Sequence, residues 1–359
     1  MTVSIELARE GFRRATTHSE KVHEAGRLVH RAMAGSVLAA AVLQEAFTTD
    51  DFPVLLGQGM EKKALQAYKD TPKEFEDVLV DVTVEDFHRR KLVDLWGADA
   101  FEKVEQGEEY KGGTLAETEI EHGLGKYGKT YGLTWELFLS RRFSELSDFP
   151  RALGQGAVKA QNTAVADLLV TGGAWNADFF GEVATVPLNA DTLRAAITAL
   201  STRENHRGEL VDVSDLHLVH GPALRAQVTD LLVNLSEIEV TTTEGTKSTK
   251  VKVSNPFKNL VKPLESRTVG QRLGAAGSTA WALVQGKSSD LPSIIRTNLA
   301  GHPEVDIRVK RDQGQYVSGG EVPVEQGSFK DDTLWYRGRS VLGIDPAFKE
   351  GVYASKGKA

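Results

Sequence analysis

Cysteine is absent from all 359 residues. That absence removes disulfides, thiol catalysis and Cys-ligated zinc together. A basic block is missing as well: Lys and Arg are scattered, and the formal net charge is -7. A dedicated nucleic-acid binder is therefore disfavoured, while contact with packaged or passing DNA stays open. The longest apolar run, Val37 to Leu43, is far too short to span a bilayer, so no membrane partner is expected. Glu6, Arg9, Glu10, Arg13 and Arg14 near the N-terminus do not make a signal peptide. The expectation is a soluble protein made in the cytoplasm. Internal repeats and low-complexity linkers are lacking too. With 40% hydrophobic and 26% charged residues the composition is globular, and the length suffices for two or more domains.

What is present is one long helical stretch, Asp148 to Gly173, reading DFPRALGQGAVKAQNTAVADLLVTGG. Asp148 is a good N-cap, and Pro150 falls in the first turn, where its missing N–H costs nothing. Leu153, Ala157, Ala160, Ala164 and Leu168 recur at helical spacing, with Val158, Val165 and Leu169 as a neighbouring row. One broad side is therefore apolar, and its alanines let another element approach the axis closely. Gly172-Gly173 reads as the C′ stop. The plain reading is a buried core helix; the sharper one is a spine on which other elements hang.

Residues 1 to about 47 read as two Ala-rich amphipathic helices. The second carries Leu28, Met33, Val37, Leu38, Val42 and Leu43 on one wide side. A shorter helix, Met60 to Asp70, precedes Pro72. From Glu74 to Leu133 the pattern changes to a period of two: Val78, Val80, Val82 and Val84 alternate with Leu79, Asp81, Thr83 and Glu85, as in strands. EKVEQGEEYKGG and TLAETEIEH follow, rich in Glu and Gly. Such an extended arm is too polar to build a core and gains most from pairing with another subunit. Further on, Ala190 to Leu200 is an amphipathic helix, and DLHLVH at 215–220 a strand leading into a helix at Gly221-Pro222. IEVTTTEGTKSTKVKV at 238–253 is a hairpin with its turn near Glu244-Gly245. Trp281–Val284, Val305–Val309 and Leu334–Ile344 are further strands, the last ending at Pro346.

Signals for chemistry are few. Gly123 to Thr130, GLGKYGKT, fits the phosphate-loop pattern letter for letter. Its working context is a buried strand before it and a helix starting at the Lys, so that backbone N–H groups and the helix dipole meet the phosphates. AETEIEH precedes it instead, and Gly132 follows within two residues. A glycine-rich strand or hinge is the better reading. His217 and His220 are three apart on a strand and so on opposite faces, unable to share a metal. Asp331-Asp332 and Glu108-Glu109 read as solvated turn or strand residues. No catalytic, cofactor-binding or metal-binding residue is assigned, no cofactor is expected, and the chain is not expected to be an enzyme.

Taken in serial order, several pieces resemble the major capsid proteins of tailed bacteriophages, most closely the Mu-like major head subunit branch. They are AFTTDDFPVLLGQG at 46–59, TVEDFHRRKL at 83–92, EQGEEY at 105–110, GKTYGLTWELF at 128–138 and DFPRALGQGA at 148–157. TAWALVQ at 279–285, IIRTNLAGHPEVDIRV at 294–309 and DDTLWYRGRSVLGIDPAF at 331–348 complete the series. Arg141, Arg142 and Phe143 depart from it, since relatives tend to be acidic there, and the hairpin at 238–253 has no counterpart in the pattern.

The resemblance implies an α+β fold of the Hong Kong 97 type. It would comprise a helical N-terminal arm (1–72), an extended β-hairpin loop region (73–133), and a peripheral domain (134–189) with its spine helix at 149–171. An axial domain (190–292) and a return to the peripheral domain (293–359) would follow. It implies a major capsid protein that assembles with itself, as pentamers and hexamers, into an icosahedral shell around double-stranded DNA. Portal, scaffolding or protease proteins and decoration proteins would be the other partners, with the virion as location and the host bacterial cytoplasm as place of assembly. An encapsulin-like compartment shell is the alternative in the same fold, and a phosphate-loop enzyme the alternative in another class.

Overall fold

The computed structural model describes residues 63–93, 117–134, 136, 143–204, 208, 210–234, 237–244, 247–254, 257, 260–302, 305–322 and 326–357. The expected arm helices within 1–47, the EKVEQGEEYKGG stretch, Glu108-Glu109, Arg141 and Arg142 lie outside the described residues. The strands are β1 (Leu79–Val84), β2 (Arg90–Val93), β3 (Glu117–His122), β4 (Gly125–Thr134), β5 (Val170–Thr171), β6 (Ala174–Trp175), β7 (Val183–Ala184) and β8 (Leu216–His220). They continue with β9 (Glu237–Glu244), β10 (Lys247–Ser254), β11 (Val261–Glu265), β12 (Trp281–Gln285), β13 (Ile294–Leu299), β14 (Asp306–Val309), β15 (Thr333–Pro346) and β16 (Tyr353–Ser355). The chain forms two units, one of residues 1–72, 126–160 and 301–341, the other of 73–125, 161–300 and 342–359.

The second unit is built on a sheet in the order β11-β8-β12-β16-β7. All five residues of β8 and all five of β12 are buried, so both strands read as continuous apolar runs. Period two divides them between two cores. Leu216, Leu218, Trp281 and Leu283 face Leu193, Leu200, Val228, Leu232 and Phe257 from the helical segments on one side. Val219, Ala282 and Val284 face Val165, Ala166 and Leu169 of the long helix, with Phe179 and Val269, on the other. Asn189 caps the Ala190–Ser201 helix through a box with Thr192.

β1 also belongs to this unit, pairing in parallel with β13 from Leu79↔Ile294 to Val84↔Leu299. Phe75, Val78 and Leu79 are fully buried. Residues 75–84 were expected to open an over-polar arm; Phe75, Val78, Leu79 and Val84 are buried in the core instead, while Asp77, Asp81 and Thr83 stay exposed. β9 and β10 form the expected hairpin, with Glu244↔Lys247 as the last pair.

In the first unit, β15 pairs antiparallel with β14 and also with β4. Residues 63–70 form a helix that buries Ala64 and Tyr68, four apart, alongside Ala157, Val158 and Val305. A Cβ on Gly154 would lie 2.1 Å from the Ala64 carbonyl oxygen, so only glycine lets the two helices approach this closely.

The long helix runs from Phe143 to Leu169, not from an Asp148 cap to Gly173. The Asp148–Pro150 signature imitates a helix start, yet the helix passes through it; the cost is a Leu146 carbonyl that Pro150, lacking an N–H, cannot satisfy. At the other end Val170–Thr171 turns back on Ala174–Trp175. Gly172 and Gly173, at φ 61° and 81°, make the two-residue turn of that hairpin in place of a helix stop.

Candidate functional site

Outside its core the second unit carries a distinctive construction at the root of the two-stranded ribbon β2–β3. Arg90 faces His122 and Lys91 faces Glu121 across it. Both oxygens of Asp345 fasten this root. Oδ1 accepts from the Arg89 guanidinium at 3.0 Å and Oδ2 from the Gly123 N–H at 3.1 Å. Arg89 also donates to the Glu121 carbonyl at 3.2 Å, so one side chain holds both strands. A Cβ on Gly343 would meet the Gly123 oxygen at 1.7 Å, which places β15 against the root without clearance. His122 is buried with Nδ1 3.0 Å from the Thr297 hydroxyl; burial pushes its pKa below the ordinary 6.5, against the pull of Asp345.

Two further ionic fastenings join strands of this unit, one on β1 and β13, the other at β8 and β11. Arg296 on β13 holds Asp81 through Nε at 2.5 Å and Nη2 at 2.7 Å, and Glu76 through Nη1 at 2.7 Å and Nη2 at 2.9 Å. Its hydrogen bonds keep the Glu76 carboxyl below its usual range. At Asp81 burial pushes the pKa up, and the Arg296 hydrogen bonds and charge outweigh it. Asp215 accepts from Lys262 at 2.8 Å, from His217 Nε2 at 3.2 Å and from the Ser288 N–H at 3.1 Å. That carboxylate ties β8, β11 and the turn after β12 together. His220 sits on the other face of β8, its Nδ1 donating to the Gly221 carbonyl at 2.8 Å. The two histidines therefore lie on opposite faces of β8, as their spacing implies. Burial lowers the pKa of both.

GLGKYGKT lies on β4 from Gly125 onward. Lys129 stands inside the strand with Nζ 5.6 Å from the Tyr131 ring. Where a phosphate loop needs a helix to start at this Lys, the backbone is extended, so the phosphate-loop alternative is overturned. Asp331 and Asp332 form a turn, as expected: Asp331 accepts from the Ser328 hydroxyl and the Thr333 N–H, and Asp332 has φ 49°. Among the described residues no group of three or more His, Asp or Glu could hold a metal ion. Nor is any described helix long and apolar enough to cross a membrane. The Asp345 root, the Arg296 clamp and the Asp215 node were not anticipated. An arginine inside the apolar run IIRTNL was the one available signal.

A profile of the phage capsid protein family matches residues 117–355, well over half of the chain and every strand from β3 to β16. The chain belongs to this family. It is a structural protein of bacteriophage capsids, and its architecture is α+β, as the resemblance implied. No curated protein sequence matches this capsid protein. Among solved structures it is similar to a virus-like particle from Pyrococcus furiosus, at 11% identity over 83% of this chain and 98% of that one, TM-score 0.43. It is similar to the mature capsid of bacteriophage PhiM1 at 13% identity, over 80% and 88%, TM-score 0.44. The SrpI encapsulin of Synechococcus elongatus PCC 7942 is similar at 12% identity, over 77% and 84%, TM-score 0.41.

Proposed function

We propose that the chain is the major capsid subunit of a tailed bacteriophage, of the Mu-like branch, building an icosahedral shell from pentamers and hexamers of itself around double-stranded DNA. The observation that carries this reading is the capsid family match over residues 117–355. The fastened ribbon root supports it, because a two-stranded ribbon is marginal alone and is stabilised by a further partner. In a symmetric shell each subunit supplies that partner to the next, and the contact repeats around the ring.

On this reading residues 1–72 are the arm, 73–133 the region that carries the extended ribbon, with 75–84 anchored in the core, 190–292 the axial domain, and 134–189 with 293–359 the peripheral domain. Portal, scaffolding or protease and decoration proteins are its partners, the subunit needs no catalytic site or cofactor, and assembly takes place in the host cytoplasm. Expression of the full chain followed by electron microscopy and nuclease-protected nucleic-acid content tests the proposal. Closed particles are expected. A monomer that never assembles contradicts it, and closed particles that retain a cargo protein and exclude DNA in a phage-infected cell favour the compartment shell.

A further inference from the structure

β9 and β10 form a sheet of two strands, eight residues against eight, running from Glu237↔Ser254 to Glu244↔Lys247. Among the described strands neither has any other partner. Each therefore keeps one edge, a row of backbone N–H and C=O groups that folded proteins rarely leave open to a pairing strand. A ribbon of two strands is also marginal by itself.

Charge on this ribbon is sorted by strand. β9 carries Glu237, Glu239 and Glu244 and no Lys or Arg, while β10 carries Lys247, Lys250 and Lys252 and no Asp or Glu. Opposite charges facing each other across antiparallel strands stabilise the pairing. The register uses this twice, with Lys252 opposite Glu239 and Lys247 opposite Glu244. Two charges are left over: Lys250 stands opposite Thr241, and Glu237 opposite Ser254. One edge of the ribbon is thus acidic and the other basic. Such an element is complementary to a second copy of itself taken head to tail, and head-to-tail contacts generate closed rings.

We propose that the edge of β10 pairs antiparallel with the edge of β9 in the next copy, so that the ribbons of one pentamer or hexamer close into a β-barrel. This rests on the shell reading, in which residues 190–292 of neighbouring copies meet around a rotation axis. The leftover charges select the register. Sliding the junction two residues from the ribbon's own register sets Lys250 opposite Glu239 and Lys252 opposite Glu237 of the neighbour. A slide of two keeps every residue on its face, because the side-chain period is two. The unshifted register would set Lys250 against Thr241 again and close a ring without stagger, whereas barrel closure requires a stagger and tilted strands. With the slide, each copy adds two strands and two residues of stagger, so shear equals strand number in pentamer and hexamer alike. Barrels with that ratio tilt their strands by about 36°, within the usual range for closed barrels. Closure also removes both edges at once. A strand from an unrelated protein is the weaker occupant, because it covers one edge, leaves the other, and gives no reason for charges sorted by strand.

The chain has no cysteine, so introduced disulfides read the junction cleanly. The full chain carrying Glu239→Cys with Lys250→Cys is assembled, oxidised with diamide and run on a denaturing gel without reductant. In one ribbon these positions are diagonal neighbours, about 7–8 Å apart and too far to bridge; at the junction they stand directly opposite. Covalent ladders ending at five and six subunits are expected, collapsing to monomer on reduction. Thr241→Cys with Lys250→Cys, opposite each other within one ribbon, should join inside the chain and run as monomer. Lys250→Glu meets Thr241 in its own ribbon but Glu239 at the junction. It should keep the melting temperature of dissociated subunits and slow assembly about three- to tenfold, most at low salt. Monomer alone from the 239/250 pair in well-formed particles overturns the proposal. So do ladders that stop at dimers, ladders from the 241/250 pair in their place, or a Lys250→Glu chain that assembles at the wild-type rate. If the wild-type chain makes no particles, the shell reading itself has failed; if particles form without the covalent ring, only this inference has.

Discussion

Strands β12 and β4 meet water in opposite ways. All five residues of β12 are buried, with Trp281 and Leu283 on one core and Ala282 and Val284 on the other. Of the ten residues of β4, only Leu133 is buried. The contrast separates what this chain does for itself from what it leaves to a neighbour. A strand enclosed on both faces carries its own stabilisation through the hydrophobic effect. A strand with alternate residues in water contributes little to its own unit and offers a surface. The ribbon β2–β3 is fastened at its root by Asp345 and Arg89.

The largest test of that contrast is a truncation on each side. Trp281 is fully buried, packs 5.5 Å from the Tyr353 ring and donates to the Val186 carbonyl at 3.2 Å. Trp281→Ala should cost about 3–5 kcal/mol in denaturant unfolding of the subunit. Thr130→Ala, exposed on β4, should stay within about 0.5 kcal/mol. If the β4 change costs as much as the β12 change, β4 is core and the division is wrong.

Next in size is a pair of alanine substitutions two residues apart on the long helix. A Cβ on Gly154 collides with the backbone of Ala64, while one on Gly156 meets nothing within 4 Å. Gly154→Ala should destabilise by about 1–3 kcal/mol, as overpacking does. Gly156→Ala should stabilise by up to about 1 kcal/mol through helix propensity alone. Calorimetry reads both, and equal effects would mean the 63–70 helix is not seated where it is drawn.

The pH dependence is smaller and graded. His122, His217 and His220 are all held neutral by burial, with pKa values below the ordinary 6.5. The unfolded chain therefore takes up protons first as pH falls. Stability from these groups is complete above 6.5 and declines below it. Glu76 and Asp81 have lowered pKa values too, so their share is present above 4.5 and 3.8 and is lost as pH falls through the folded values. Denaturation midpoints from pH 7.5 to 3.5 should show both limbs. His220→Gln should flatten the upper limb and Arg296→Gln only the lower; a midpoint constant from pH 7 to 5.5 would contradict the first.

How far the sequence reveals this division depends on the kind of interaction. The long helix was legible because its buried residues (Leu153, Ala157, Val158, Val165, Leu169) repeat at helical spacing. Its ends were not, since Asp148–Pro150 and Gly172-Gly173 have two structural uses each, and long-range packing chooses between them. β8, β12, β14, β15 and the β9–β10 hairpin were readable from their own patterns. β1 was misjudged, because alternation does not tell whether the polar side meets water or a clamp such as Arg296. The site elements depend on contacts such as Arg89 to Asp345 and Lys262 to Asp215, which link distant positions through tertiary packing and leave no periodic trace. Gln161 is fully buried with neither amide atom paired, and nothing in sequence or structure explains it.

Hydrogen exchange on dissociated subunits and on assembled particles tests the central claim most directly. Amides of β8 and β12 should be protected in both states, as strands enclosed by their own unit. Those of β2, β3 and the segment 94–113 should exchange quickly in free subunits and become protected only in particles. Equal protection of β2, β3 and 94–113 before and after assembly would contradict the account, because the ribbon would then be completed by its own subunit.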